Sequence, residues 1–195
     1  MLLTKADLLT ALGRDGDATS DFDLNVGGTI APTKDAAVLV PIMESADGLR
    51  LILTKRAAHL KAHPGQVAFP GGRRDDTDKD LIATALREAD EEIGLPPARV
   101  QVLGGLPHHD TVTAFRVTPV VGWIERDWTV QADPGEVAEV FHVPLGHVLN
   151  LKNYSIQSRQ WRGAARYFYT IPYGPYYIWG ATARMLHGLA ARCAA

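Results

Sequence analysis

The chain has 195 residues, 46% of them apolar and 22% charged, a length that supports one well-buried core and excludes two comfortable domains. Its formal net charge of -2 excludes a global pull toward nucleic acid or an anionic membrane, so a polyanionic ligand must be held by local cations or by metal ions. A single cysteine, Cys193, excludes a disulfide framework and a cysteine-rich zinc site, and the absence of any apolar run of about eighteen residues leaves a cytoplasmic protein without a membrane span as the expectation.

Leu2 to Leu12 is weakly helical, and Gly13 to Lys34 is a polar connector rich in Gly and Asp. Ala37 to Ile42 and Leu51 to Thr54 read as two strands joined at the turn Ser45-Ala46-Asp47-Gly48, which is a hairpin pattern. A glycine-bearing loop follows from His59 to Asp76. Asp78 to Ile93 is the clearest helix, with Thr77 or Asp78 to cap it and Gly94, Pro96 and Pro97 to stop it. Its periodicity puts Ile82, Ala85, Leu86, Ala89 and Ile93 on one buried face. Strands are expected at Arg99–Leu106, Phe115–Ile124, Val137–Val143 and Arg166–Ile171, with a short helix from Leu145 to Leu149. A last helix from Tyr177 to Ala191 carries Ile178, Ala181, Met185 and Leu189 as its apolar stripe. Strands before and after a central helix, with another helix at the end, predict a mixed α/β (α+β) sandwich rather than a doubly wound parallel sheet.

The polar face of the central helix carries the chemistry. Glu88, Glu91 and Glu92 fall within roughly 100° of arc, with Arg87 one turn before Glu91. Two readings fit that cluster: a solvated acidic face partly neutralised by Arg87, or a site for a cation that relieves the repulsion. Phe69-Pro70-Gly71-Gly72 lies just upstream, a turn that lets backbone approach an ion closely. Hard oxygen ligands beside such a turn suit Mg²⁺ or Mn²⁺.

Arg87-Glu88-Ala89-Asp90-Glu91-Glu92-Ile93-Gly94-Leu95 resembles the core of the Nudix signature. The resemblance implies an α/β/α sandwich with a mixed sheet and a catalytic loop–helix–loop for divalent metals. It implies Glu88 and Glu92 as metal ligands, Glu91 as a third, a contact from the Gly72 backbone, and an Arg87 that orients Glu91. Residues 1–34 then form an N-terminal helix and connector, and 35–195 the Nudix domain. The front half of the pattern is out of register. The family's further Glu falls on Lys79 and its loop Gly on Arg73, because Gly72 to Arg87 is one residue longer than the standard box; Asp78 is the nearest acidic stand-in.

The stretch from Leu53 through Lys55-Arg56, Lys61 and Gly65 to Phe69-Pro70-Gly71-Gly72 is similar to the extra motif of coenzyme A pyrophosphatases, as is the long loop with Asp75 and Asp78. Lys61 stands where that group more often has Arg. Arg56, Lys61, Arg73 and Arg74 flank the Gly-Gly turn as candidate hands for phosphate oxygens, against the alternative of a solvated loop. Glu136 and Glu139 can reach the carboxylates from outside the helix, and the general base is Glu88 or one of these. His108-His109-Asp110 reads as loop polarity, since adjacent strand histidines face opposite ways. His59 and His63 read as loop residues. Tyr167, Phe168, Tyr169, Tyr173, Tyr176 and Tyr177 read as packing.

The resulting expectation is metal-dependent cleavage of the pyrophosphate of coenzyme A, giving a 3′-phosphorylated adenosine nucleotide and phosphopantetheine. The rivals are a broader hydrolase of ADP-ribose, dinucleotides or nucleoside triphosphates, and a Nudix-fold binding module without catalysis. A homodimer through the last helix and the Tyr173–Tyr177 aromatics is set against their use in closing the monomer core.

Overall fold

A computed structural model describes residues 3–25, 31–125, 128–161 and 163–194; Leu2 and residues 26–30 of the expected connector lie outside them. The elements run α1 (Lys5–Leu12), β1 (Thr19–Ser20), β2 (Lys34–Ser45), β3 (Gly48–Arg56), β4 (Val67–Ala68), β5 (Gly71–Arg73), α2 (Leu81–Ile93) and β6 (Val100–Gly105). They continue with β7 (His109–Asp110), β8 (Phe115–Ile124), β9 (Val137–Pro144), α3 (Leu145–Leu149), β10 (Ser155–Trp161), β11 (Ala164–Thr170) and α4 (Gly180–Ala194).

β2 is the central strand. One edge pairs in parallel with β8 from Lys34↔Phe115 to Met43↔Ile124, so the sheet is mixed. The other edge is shared, with β5 on Ala36–Val38 and β3 on Ile42–Ser45. β3 closes the expected hairpin and carries β9 and β4 further out. β6 and β7 extend the sheet beyond β8, and β1 adds to β7 in parallel. β10 and β11 form a separate two-stranded ribbon.

The alternation of side chains along β2 sorts the core into two layers. Ala37 and Leu39 face α2, where they meet Ile52, Val120, Ala85, Ala89 and Ile93. Ala36, Val40 and Ile42 face the opposite layer, with Leu51, Leu53, Val117, Val121 and the α4 residues Met185, Leu186 and Leu189. A sheet with helices on both faces agrees with the mixed sandwich that the element order predicts and with the α/β/α arrangement that the resemblance implies.

Two helix starts shift for physical reasons. α2 begins at Leu81, because Asp80 rather than Asp78 or Thr77 caps it, accepting from the Ala83 N–H at 2.8 Å. Leu81, not Ile82, then takes the first-turn contact on the core; Ile82 is 42% exposed and is corrected from the buried face. α4 begins at Gly180 rather than Tyr177, since the Ile171 N–H bonds the Ile178 carbonyl and Thr170 bridges Trp179, holding that segment extended. Ile178 is fully buried, but ahead of the helix. Tyr173 and Tyr176 pack on the core, with Tyr176 stacked on Phe141 at 3.6 Å, while Tyr177 stays exposed. Among the described residues no helix is long and apolar enough to cross a membrane.

Candidate active site

The acidic face of α2 is not uniformly solvated. Glu92 is 4% exposed and the Glu88 side chain 15%, whereas the Glu91 side chain is 60% exposed. Two of the three carboxylates therefore leave water, which costs heavily unless a positive charge meets them. Arg87 meets part of that need. Its Nη1 donates to Glu88 Oε1 and Glu91 Oε2, each at 2.9 Å. Its Nε and Nη2 grip Asp78 at 3.0 and 2.9 Å, and Nη2 also reaches the Arg73 carbonyl at 3.2 Å. Asp78, the acidic stand-in of the sequence, is thus buried in a two-pronged ion pair, which holds its carboxyl well below the usual range. Arg87 is raised above its ordinary value by the same bond.

The Gly-Gly turn brings backbone onto this helix. A Cβ on Gly71 would meet the Ala37 carbonyl at 2.5 Å, and its φ of 156° is one that side-chain-bearing residues rarely adopt. A Cβ on Gly72 would sit 2.5 Å from the Glu88 carboxylate. These two glycines let β5 lie against β2 on one side and against Glu88 on the other.

Burial pushes the Glu92 carboxyl up to about 8, with the Glu88 charge adding to the rise and Arg56 opposing it. Burial also raises Glu88, against the pull of Arg87. Glu136, just before β9, acts on both as a further negative charge. Glu139 is turned away onto the Tyr176 hydroxyl, so Glu136 is the carboxylate outside the helix that bears on the cluster. Among the described residues, no three acidic, histidine or cysteine side chains converge as a ready metal cage. Glu91 in particular is committed to Arg87. Glu88 and Glu92 still fit a divalent cation in chemistry: both are hard oxygen donors, both are withdrawn from water, and their mutual repulsion lacks a full counter-charge. A cation carrying substrate phosphate oxygens and waters needs few protein ligands.

On the far side of the Gly71 turn lies a cavity of about 310 Å³, between β2, β8, the β10–β11 ribbon and α4. Arg56 lines it, and its Nε also donates to the Ala62 carbonyl at 3.4 Å. Lys61, Arg73 and Arg74 do not line it. Lys61 and Arg73 are exposed, and Arg74 donates to the Asp78 carbonyl at 3.2 Å. The cations that join Arg56 are Arg159, Arg166 and Arg184, none of which the sequence reading singled out. Tyr167, Phe168 and Tyr169, for which the sequence predicts a packing role, all line the cavity together with Trp179. The signal available was an Arg next to three aromatics, Arg166 to Tyr169, on a strand that alternates.

His109 is corrected from loop polarity to a fully buried strand residue, bonded to Thr19 Oγ1 at 2.9 Å and facing Asp21 at 3.4 Å. His108, on the opposite face, stays partly exposed. His59 contacts the Gly135 carbonyl at 3.1 Å, and His63 lines the cavity with a φ of 55°.

Residues 33–162 match the NUDIX domain model. The chain is 48% identical over 157 residues to NudL, an uncharacterized Nudix hydrolase of Enterobacter sp. (strain 638), covering 80% of this chain and 81% of the relative. It is 46% identical over the same length and shares to NudL of Escherichia coli O1:K1 / APEC. Among solved structures, the C. elegans Ap4A hydrolase binary complex aligns with a TM-score of 0.48 and 20% identity, over 57% of this chain and 80% of that one.

Proposed function

This chain belongs to the Nudix hydrolase family and is a pyrophosphohydrolase, and on that premise we propose that its substrate is coenzyme A or a derivative, cut at the pyrophosphate. The observation that carries the proposal is the adjacency of the buried Glu92 and partly buried Glu88 to an arginine-lined, aromatic-walled cavity across one Gly-Gly turn. The similarity of the Leu53–Gly72 stretch to the coenzyme A pyrophosphatase motif supports the choice within the family.

In this reading Glu88 and Glu92 hold Mg²⁺ or Mn²⁺, with the Gly72 backbone beside them. When bound, the ion supplies neutralisation of the pyrophosphate charge and a more acidic water. Arg87 keeps Glu88 and Glu91 in place and does not touch substrate. Arg56, which already bears on Glu92, binds a phosphate oxygen. Glu136, which makes no ion pair among the described residues, takes the proton from the attacking water as phosphorus–oxygen cleavage proceeds.

A panel of coenzyme A, dephospho-coenzyme A, ADP-ribose, dinucleotides and nucleoside triphosphates, with Mg²⁺ or Mn²⁺ and products identified by mass, tests the proposal. 3′,5′-ADP and phosphopantetheine as the fastest-formed products support it. Equal turnover of ADP-ribose or dinucleotides would leave the broader Nudix activity in its place. Assembly as a homodimer belongs to the same proposal, through the last helix and the Tyr173–Tyr177 segment, of which Tyr177 is exposed; a single 21.2 kDa species in light scattering would remove it.

A further inference from the structure

The groups on the cavity wall differ in what already satisfies them. Asp21 accepts from the Val112 N–H at 3.0 Å and faces His109 and Arg166, each at 3.4 Å. Asp23 accepts from Arg184 Nε at 2.7 Å. Both aspartates of the cavity are thereby paired, and four arginines share its wall with them, so positive charge is left over. Arg159 stands apart. Among the described residues it has no carboxylate partner, and its guanidinium lies 4.6 Å from the Trp179 ring and 6.0 Å from that of Phe168. Those two rings meet edge to face at 5.2 Å.

A guanidinium resting on an indole is oriented by the ring, with its N–H edge free to fork onto a phosphate. Aromatic faces beside it accept a stacked heteroaromatic ring of any identity. Trp179 is tied to the end of the ribbon by its bridge to Thr170, so ring and guanidinium are held in one unit. The volume of about 310 Å³ suits a mononucleotide-sized group.

We propose that Arg159, with Trp179 and Phe168, forms a non-catalytic subsite for a phosphorylated purine nucleoside, reading a phosphate monoester remote from the scissile pyrophosphate. The ring-bearing substrate is taken from the reading above, while the assignment of these residues rests on the cavity. Arg159 is here a specificity residue, since it lies outside the carboxylate cluster that performs cleavage.

The test is equilibrium binding to the full chain in excess chelator, using adenosine 3′,5′-bisphosphate, 5′-AMP and adenosine. The wild type is expected to prefer the bisphosphate to 5′-AMP by about 10-fold or more. Arg159→Ala erases that preference, Arg159→Lys restores part of it by charge without the fork, and Trp179→Leu weakens adenosine as well. A folded Arg159→Ala variant that keeps the preference, or a wild type without one, overturns the proposal. Should Arg159→Ala fail to fold, the preference of Arg159→Lys decides: unchanged from wild type, it overturns the subsite. Coenzyme A turnover is read separately. Its absence, with the preference lost in Arg159→Ala, removes coenzyme A as substrate and leaves the subsite. Its presence, with the preference intact in the variant, does the reverse.

Discussion

Asp78 and Arg87 stand nine positions apart and meet through both oxygens of one and two nitrogens of the other, at 3.0 and 2.9 Å. This pair ties the loop ahead of α2 to the middle of the helix. Asp78→Asn should lower stability by about 1–3 kcal/mol, seen in denaturant melts. The folded carboxyl lies below its ordinary 3.8, so its contribution is present above that pH and is lost only as pH falls through the lower folded value. The wild-type and variant curves should therefore stay apart at neutral pH and converge only in strong acid. Curves that coincide at pH 7 would mean the pair contributes nothing.

Glu92 behaves in the opposite sense. Its carboxyl titrates at about 8 in the folded, metal-free protein against an ordinary 4.5, so folding takes up a proton between those values. Stability from this group is complete below about pH 4.5 and is lost as pH rises through about 8. Metal-free wild type should lose Tm over that window, and Glu92→Gln should lose less. Mg²⁺ or Mn²⁺ at pH 8 should lift the wild type and not the variant, since metal and protons compete for one carboxylate. Turnover should fall away in the variant and in excess chelator. Parallel Tm slopes for the two proteins would clear Glu92 of this role.

Gly72→Ala separates folding from catalysis. The added Cβ would lie 2.5 Å from atoms at the far end of the Glu88 side chain, which can swing aside at small cost. Tm should change by little, while kcat falls by about 10-fold or more because the carboxylate leaves its position. Normal kcat in a folded Gly72→Ala would place the working atoms elsewhere than Glu88.

Among the loop cations, Arg56→Ala should raise KM for every pyrophosphate substrate by about 10-fold or more, because Arg56 lines the cavity and bears on Glu92. Lys61→Ala, exposed and outside the cavity, should leave kinetics within about twofold. The reverse order of effects would show that the loop rearranges on binding.

The sandwich was legible because its evidence is periodic. Phe115–Ile124 and Leu145–Leu149 fall where the sequence pattern puts them, and Ala85, Ala89 and Ile93 are buried as the wheel requires. Gly94 stops α2 in the left-handed conformation expected of such a residue. β10 was invisible, since every residue from Ser155 to Trp161 is exposed and no alternation of apolar side chains marks it. β1 and β7 are too short to carry a pattern. The carboxylates could be named from spacing on one helix, but their surroundings could not, because the Gly71–Gly72 backbone packs on them and the charge of Glu136 reaches them from outside the helix. Arg159, Arg166 and Arg184 meet only through the tertiary fold, and no local spacing links them to Arg56.

The N-terminal stretch reaches the cavity too: Ser20, Asp21, Asp23 and Leu24 line it, anchored by the Thr19–His109 bond. These residues precede the matched span 33–162, while Tyr167 to Tyr169 and Trp179 to Met185 follow it. The carboxylates and the Gly-Gly turn lie inside that span. The carboxylates proposed for cleavage and about half of the cavity wall thus occupy different tracts of chain, with Arg56 and Arg159 inside the span and Arg166 and Arg184 beyond it. Exchanging the two ends between relatives would therefore replace Phe168 and Trp179 while leaving Arg159 and the proposed hydrolytic centre in place, so that ring stacking and phosphate reading should part company in such chimeras.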